Sequence, residues 1–100
     1  MKYFEENKGK KVIIRSGKAG VYYGTLVDAE DSSVELSDAI NLWYWAGASN
    51  LMQIAAEGVR TPQACKFTKT INNIVIMDVC EVLCCTKEAC ESIEGVEQWA

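Results

Sequence analysis

The polarity pattern of the chain changes period along its length. Residues 10–16, KKVIIRS, are a short β-branched run, and residues 21–29, VYYGTLVDA, are a second one beyond the turn residues 17–20. Gly24 interrupts the second run, which marks a bulge or a close backbone approach. After the polar turn 30–33, residues 34–39, VELSDA, alternate apolar and polar as a half-buried strand does. Residues 41–45, NLWYW, read as a fourth strand. The period then lengthens: Leu51, Ile54, Ala55 and Gly58 recur at helical spacing, Ser49 or Asn50 offers the N-cap, and Gly58 followed by Pro62 is the stop. Residues 65–67, CKF, return to an extended pattern, and residues 72–85 read as one long strand or as two with a kink near Asp78. Thr86 then caps a short last helix that has Glu88 in its first turn, Ala89, Cys90 and Ile93 on its apolar face, and Gly95 at its end. The expected fold is α+β, a small, mostly antiparallel curled sheet (a half-barrel) with two short helices, in one domain over residues 1–100.

Composition excludes more than it assigns. The apolar share of 49% and the charged share of 24% are ordinary for a globular chain, and disorder would need fewer apolar residues. No apolar run approaches the ~18 residues of a membrane span, and no hydrophobic stretch follows Lys2 as it would in a signal peptide. A cytoplasmic protein without a membrane partner is expected. The net charge of -4 argues against broad nucleic-acid binding. The charge is unevenly spread, with lysines and Arg15 crowding residues 2–18 and carboxylates crowding residues 78–97. Such asymmetry suits self-association or a local basic site, and equally an ordinary solvated surface.

The usual catalytic chemistry is absent. There is no histidine, hence no common general base or metal ligand of that kind. The turn SGKAG (16–20) has the residue types of a phosphate loop but leads into a strand instead of a helix, so it lacks that motif's context. Cys80, Cys84, Cys85 and Cys90 lie close together with Cys65 apart, a spacing that matches no common zinc pattern and reads as buried free thiols. Neither an enzyme nor a cofactor or metal is expected.

Several blocks resemble a family of small phage- and prophage-encoded proteins known as a domain of unknown function. They are R-S-x-x-A-G-V-x-x-G-T-L (15–26), L-W-Y-W-x-G-A-x-x-L (42–51), A-x-E-G-V (55–59), P-x-x-C-K-F (62–67) and C-T-x-x-A (85–89). The small β-plus-helix architecture is also similar to that of the Thoeris anti-defence sponges. Those proteins sequester cyclic signalling nucleotides, cyclic ADP-ribose isomers among them, without cleaving them, and hold the ligand between protomers of a homo-oligomer. The resemblance implies a phage-encoded protein of the host cytoplasm that binds a cyclic nucleotide-type small molecule. It also implies two basic residues just before the aromatic block, where this chain has Ile40 and Asn41.

Such a sponge needs rings for stacking and donors for phosphate. Tyr22, Tyr23, Trp43, Tyr44 and Trp45 can stack, and Arg15, Lys18 and Arg60 can meet phosphate, with Lys66 as a further cation. Ala48, Ser49 and Asn50 open the first helix, where backbone amides can meet an anion. Each has a plainer reading. Trp43 and Trp45 share a strand face and are expected in the core, with Tyr44 opposite. One of Tyr22 and Tyr23 is expected inward and the other outward. Arg15 at a strand end fits an ordinary surface position. Two other functions fit the same residues: an inhibitor that docks on a host defence protein through exposed aromatics, and a minor phage structural protein.

Overall fold

A computed structural model describes residues 2–99 of the chain. Its elements run α1 (Lys2–Asn7), β1 (Lys11–Ser16), β2 (Gly20–Glu30), β3 (Ser33–Tyr44), α2 (Leu51–Glu57), a 3-10 turn (Pro62–Ala64), β4 (Lys66–Phe67), β5 (Ile71–Ile76), β6 (Val79–Cys84) and α3 (Lys87–Glu94). The strands form one antiparallel sheet in the order β4-β3-β2-β1-β6, with β5 also on β3. β5 takes the first part of β3, from Val34 to Ala39, and β4 takes the end, at Leu42 and Tyr44.

This connectivity forces the sheet to curl. β5 lies on one edge and β6 on the other, yet only Met77 and Asp78 join them. The outer strands of a flat five-stranded sheet would stand ~19 Å apart. Three successive Cα steps reach no more than ~11 Å, so the edges must bend toward each other. The ladder stays open, because β5 and β6 are not paired. Hydrogen bonds stitch the gap: the Val79 amide donates to the Ser32 carbonyl at 2.9 Å, and the Ser16 hydroxyl donates to the Met77 carbonyl at 2.8 Å. The same Ser16 oxygen accepts the Lys18 and Ala19 amides, so the SGKAG turn is an internally bonded corner.

A curled sheet has two faces to cover, and both are covered. Val12, Ile14, Leu26, Val34, Leu36, Ala39 and Ile76 fill the concave side, with Phe4 of α1 against them. Ile13, Tyr23, Ile40, Leu42, Ile54, Phe67 and Ile93 pack on the other side beneath α2 and α3. The consecutive residues Val12, Ile13 and Ile14 are therefore all fully buried, the expected result for a strand covered on both faces. Each such side chain contributes about 1.5–3 kcal/mol by leaving water.

The expected curled α+β architecture is observed, with two local differences, a continuous β3 and an added helix. Residues 34–39 and 41–44 are not two strands but parts of β3, which stays continuous by absorbing a bulge and ends before Trp45. Thr25 pairs with Ser37 and Tyr23 with Ile40, so Gly24 faces both Asp38 and Ala39. Asp38 takes φ 48, a conformation that aspartate tolerates better than most side chains. Of the two readings of residues 72–85 the structure takes the second: they divide at Asp78, whose φ of 56 turns the chain from one sheet edge to the other. The structure adds a third helix, α1, which the sequence pattern left unread because Phe4 is its one apolar anchor on the sheet.

Both later helices start as the caps dictate. The Asn50 side chain accepts the Gln53 amide, and the Thr86 hydroxyl accepts the Ala89 amide. No helix among the described residues is long and apolar enough to cross a membrane.

Candidate functional site

The aromatic block does not alternate as a strand should. β3 ends at Tyr44, and its pairing with β4 slips between Leu42 and Tyr44. Trp43 and Tyr44 are both exposed, at 60% and 52%, and Trp45 beyond the strand is half-buried against the helix-side core. The expectation that Trp43 and Trp45 would share the core is corrected on that ground: the two-residue period stops before it reaches Trp45. Trp43 instead lies flat on Trp99, with ring centroids 5.0 Å apart and planes at 19°. The Lys66 ammonium sits 5.6 Å from the first ring centroid and 5.4 Å from the second. The Trp99 amide donates to the Phe67 carbonyl at 2.7 Å, so the C-terminal segment is clasped to β4 beneath this stack.

Tyr22 and Tyr23 are also corrected. Neither points freely outward: Tyr23 is buried under the helices and Tyr22 is half-buried in the concave cluster. With both sheet faces covered, alternation moves a side chain from one core to the other.

The segment after Trp45 is held by backbone contacts. The Ala46 amide donates to the Cys65 sulfur at 3.4 Å, and the Arg60 amide donates to the Gly47 carbonyl at 3.2 Å. Gly47 has φ 81, and a Cβ there would stand 2.5 Å from the Thr61 nitrogen. The small residue therefore admits the Arg60–Thr61 backbone, not a ligand. At the start of α2 the Ser49 amide donates to Gln53 Oε1 at 2.8 Å and the Gln53 amide to Asn50 Oδ1 at 2.9 Å, a reciprocal cap that already engages these two donors. Ala48 packs against the core.

These constraints leave Trp45 as one wall of an open cleft of about 410 Å³. Arg15, Val21, Asn50, Leu51, Met52 and Glu81 complete it. Arg15 of β1 and Glu81 of β6 face each other in the ladder and form an ion pair at the cleft. The hydrogen bond that Arg15 donates to Glu81 raises the Arg15 pKa further, keeping the guanidinium charged. Of the residues singled out from sequence, the cleft gathers Arg15, Trp45 and Asn50. Lys18 instead pairs with Asp78 at 3.6 Å, and Arg60 with Glu57 at 3.3 Å. Tyr22, Trp43, Tyr44, Ala48 and Ser49 do not line the cleft. Sequence reasoning missed Val21, Leu51, Met52 and Glu81. Glu81 left one trace, a carboxylate amid the apolar run 79–85, but nothing local places it opposite Arg15.

A family model described as a domain of unknown function, DUF6948, matches residues 9–93. The chain belongs to the DUF6948 family. Every strand of this DUF6948 domain lies within the matched span, while Trp99 of the indole stack lies beyond it. No curated protein and no solved structure matches the chain.

Proposed function

We propose that this DUF6948 protein is a non-catalytic binding module that sequesters a nucleotide-derived signal in the Trp45–Arg15 cleft. The observation that carries the reading is the convergence of an indole, a guanidinium and a carboxylate on one open cleft. A nucleotide offers a partner to each. Its base stacks on Trp45, its phosphate accepts from Arg15, and its ribose hydroxyls donate to Glu81. The cleft volume lies within the ~300–1,000 Å³ of common small-ligand sites. Because Arg15 is already paired, a simple anion must displace Glu81, whereas a ligand with both phosphate and diol engages the pair as it stands.

One stack contributes ~1–3 kcal/mol, and nanomolar sequestration needs ~12 kcal/mol. A single cleft with one guanidinium falls short, so a second copy of the chain completes the site in a homo-oligomer. The resemblance of its sequence blocks to small phage-encoded proteins, and of its architecture to Thoeris anti-defence sponges, supports the proposed biological role: a phage protein in the host cytoplasm that withdraws a cyclic ADP-ribose isomer or a cyclic oligonucleotide from immune signalling.

The test is a thermal-shift screen against cyclic ADP-ribose isomers, cyclic dinucleotides and cyclic trinucleotides. A ligand at a hundredfold its dissociation constant stabilises by ~2.7 kcal/mol and should be recovered unaltered. If none moves the melting temperature, the reading fails.

A second reading has its own support. Trp43, Tyr44 and Trp99 are all exposed, and aromatic side chains dominate protein interfaces. An inhibitor docking there on a host defence protein predicts no nucleotide shift and loss of partner capture in Trp43→Ala.

A further inference from the structure

A second cavity, of about 340 Å³, opens at the other side of the helix-covered face, and it shares no lining residue with the Trp45 cleft. Its floor is apolar: Ile40, Ile93, Val96 and the ring of Tyr23, all buried. Its rim carries Lys11, Asp38 and Glu94, with Thr70 and Gln98 alongside.

The rim charges are unequally matched. Glu94 accepts the Tyr23 hydroxyl and lies 3.9 Å from the Lys11 ammonium, which itself sits 5.6 Å over the Tyr23 ring. The Thr70 hydroxyl is taken by the Gln98 amide at 2.8 Å. Asp38 alone has no ion-pair or side-chain hydrogen-bond partner among the described residues. Asp38 is exposed at the mouth of the cavity. The bulge in β3 turns Asp38 into a left-handed conformation beside the cavity, and that bulge fits only because Gly24 across the ladder has no side chain. A bulge re-aims a side chain at a local cost.

We infer that this cavity binds a small organic cation, an ammonium on a compact apolar body, with Asp38 as its counter-ion and Ile93 and Val96 as its floor. A metal ion is a poor fit. No group of three His, Cys, Asp or Glu side chains gathers among the described residues, and the Lys11 ammonium already sits on the rim beside Glu94. An anion is a poor fit too, because Lys11 is already matched by Glu94 and Asp38 repels it. The inference is independent of the nucleotide reading.

The test is NMR titration of the full chain with phenethylammonium, phenethyl alcohol and phenylpropionate at millimolar concentration. The ammonium should shift the Asp38, Ile93 and Val96 resonances, and the alcohol and the anion should bind about two- to fivefold more weakly, since Asp38 is exposed and an exposed charge pair contributes no more than that. Asp38→Asn keeps the left-handed backbone, which asparagine also tolerates, and should weaken the ammonium about two- to fivefold. Lys11→Met removes the competing cation and should tighten it. The inference is overturned if no ammonium shift occurs, if phenylpropionate binds as well, if Asp38→Asn has no effect, or if Lys11→Met abolishes binding. The first Trp45-cleft nucleotide hit should leave these resonances in place, which keeps the two sites' outcomes apart.

Discussion

Gly24 meets the Ser37 carbonyl so closely across the β2–β3 ladder that an added Cβ would stand 3.0 Å from that oxygen and 3.2 Å from the Ala39 Cα. Neither neighbour is a flexible side-chain tip, so a methyl group there must push two strands apart. Gly24→Ala should destabilise the fold by ~1–3 kcal/mol and lower the melting temperature by about 4 °C or more. It should also disturb Asp38, which occupies the bulge opposite. Urea denaturation checks the first effect, and the Asp38 amide shift checks the second. An unchanged midpoint would show that the bulge does not depend on the missing side chain.

Three groups make the protein base-sensitive. Burial, then the nearby Cys90 and Glu94 side chains, pushes the Tyr23 phenol well above its usual value. Burial and the Cys84 contact push Tyr3 up to about 12, and burial with Cys90 and Cys84 nearby pushes the Cys85 thiol up to about 12. In the unfolded chain tyrosine ionises near ~10 and cysteine near ~8.5. The native state keeps these protons longer, so their contribution is intact below the unfolded values and is lost as pH rises toward the folded ones. Denaturation midpoints should therefore fall from about pH 8 to about pH 11, and Tyr23→Phe should flatten part of the decline. A midpoint independent of pH over that range would contradict the burial of these groups.

The five thiols differ in access. Cys80 and Cys84 are exposed on β6, Cys85 and Cys90 are half-buried, and Cys65 is buried with its sulfur bonded to the Ala46 and Thr61 carbonyls. Alkylation of the native protein, followed by mass spectrometry, should label Cys80 and Cys84 first and Cys65 last. Early labelling of Cys65 would mean that the loop after Trp45 is not held as described.

Removal of one indole of the Trp43–Trp99 stack should be felt at the C-terminus. Trp99→Ala should cost about 0.5–1.5 kcal/mol beyond lost area. It should also speed amide exchange at residue 99, whose N–H bonds Phe67. Unaltered exchange would leave the backbone clasp to act without the stack.

Local chemistry made most elements readable. Asn50, Thr86 and Gly95 act as the caps and the stop that their residue types suggest, and KVIIRS forms a strand. What escaped depended on tertiary closure. β3 runs through Asp38 because Gly24, on another strand, makes room for the bulge. Tyr22 and Tyr23 are both drawn inward because helices cover one sheet face and curvature closes the other. The cleft was legible in Arg15, Trp45 and Asn50 as separate residues. Its assembly depends on Glu81 lying opposite Arg15 across a ladder of high sequence separation. The amides from Ala48 to Asn50 looked open to an anion from sequence, but the Ser49 amide is taken by the Gln53 side chain and Asn50 caps the Gln53 amide.

The most direct measurement is a calorimetric titration of the best nucleotide from the thermal screen into the native protein, Trp45→Ala and Arg15→Ala, followed by recovery of the ligand from the denatured complex. Trp45→Ala should lose ~1–3 kcal/mol of binding and melt lower without ligand because its indole packs against the core, Arg15→Ala should lose a comparable amount of binding at a near-native melting temperature, and the nucleotide should return intact. Unchanged affinity in both variants, or a cleaved ligand, would contradict sequestration in the Trp45–Arg15 cleft.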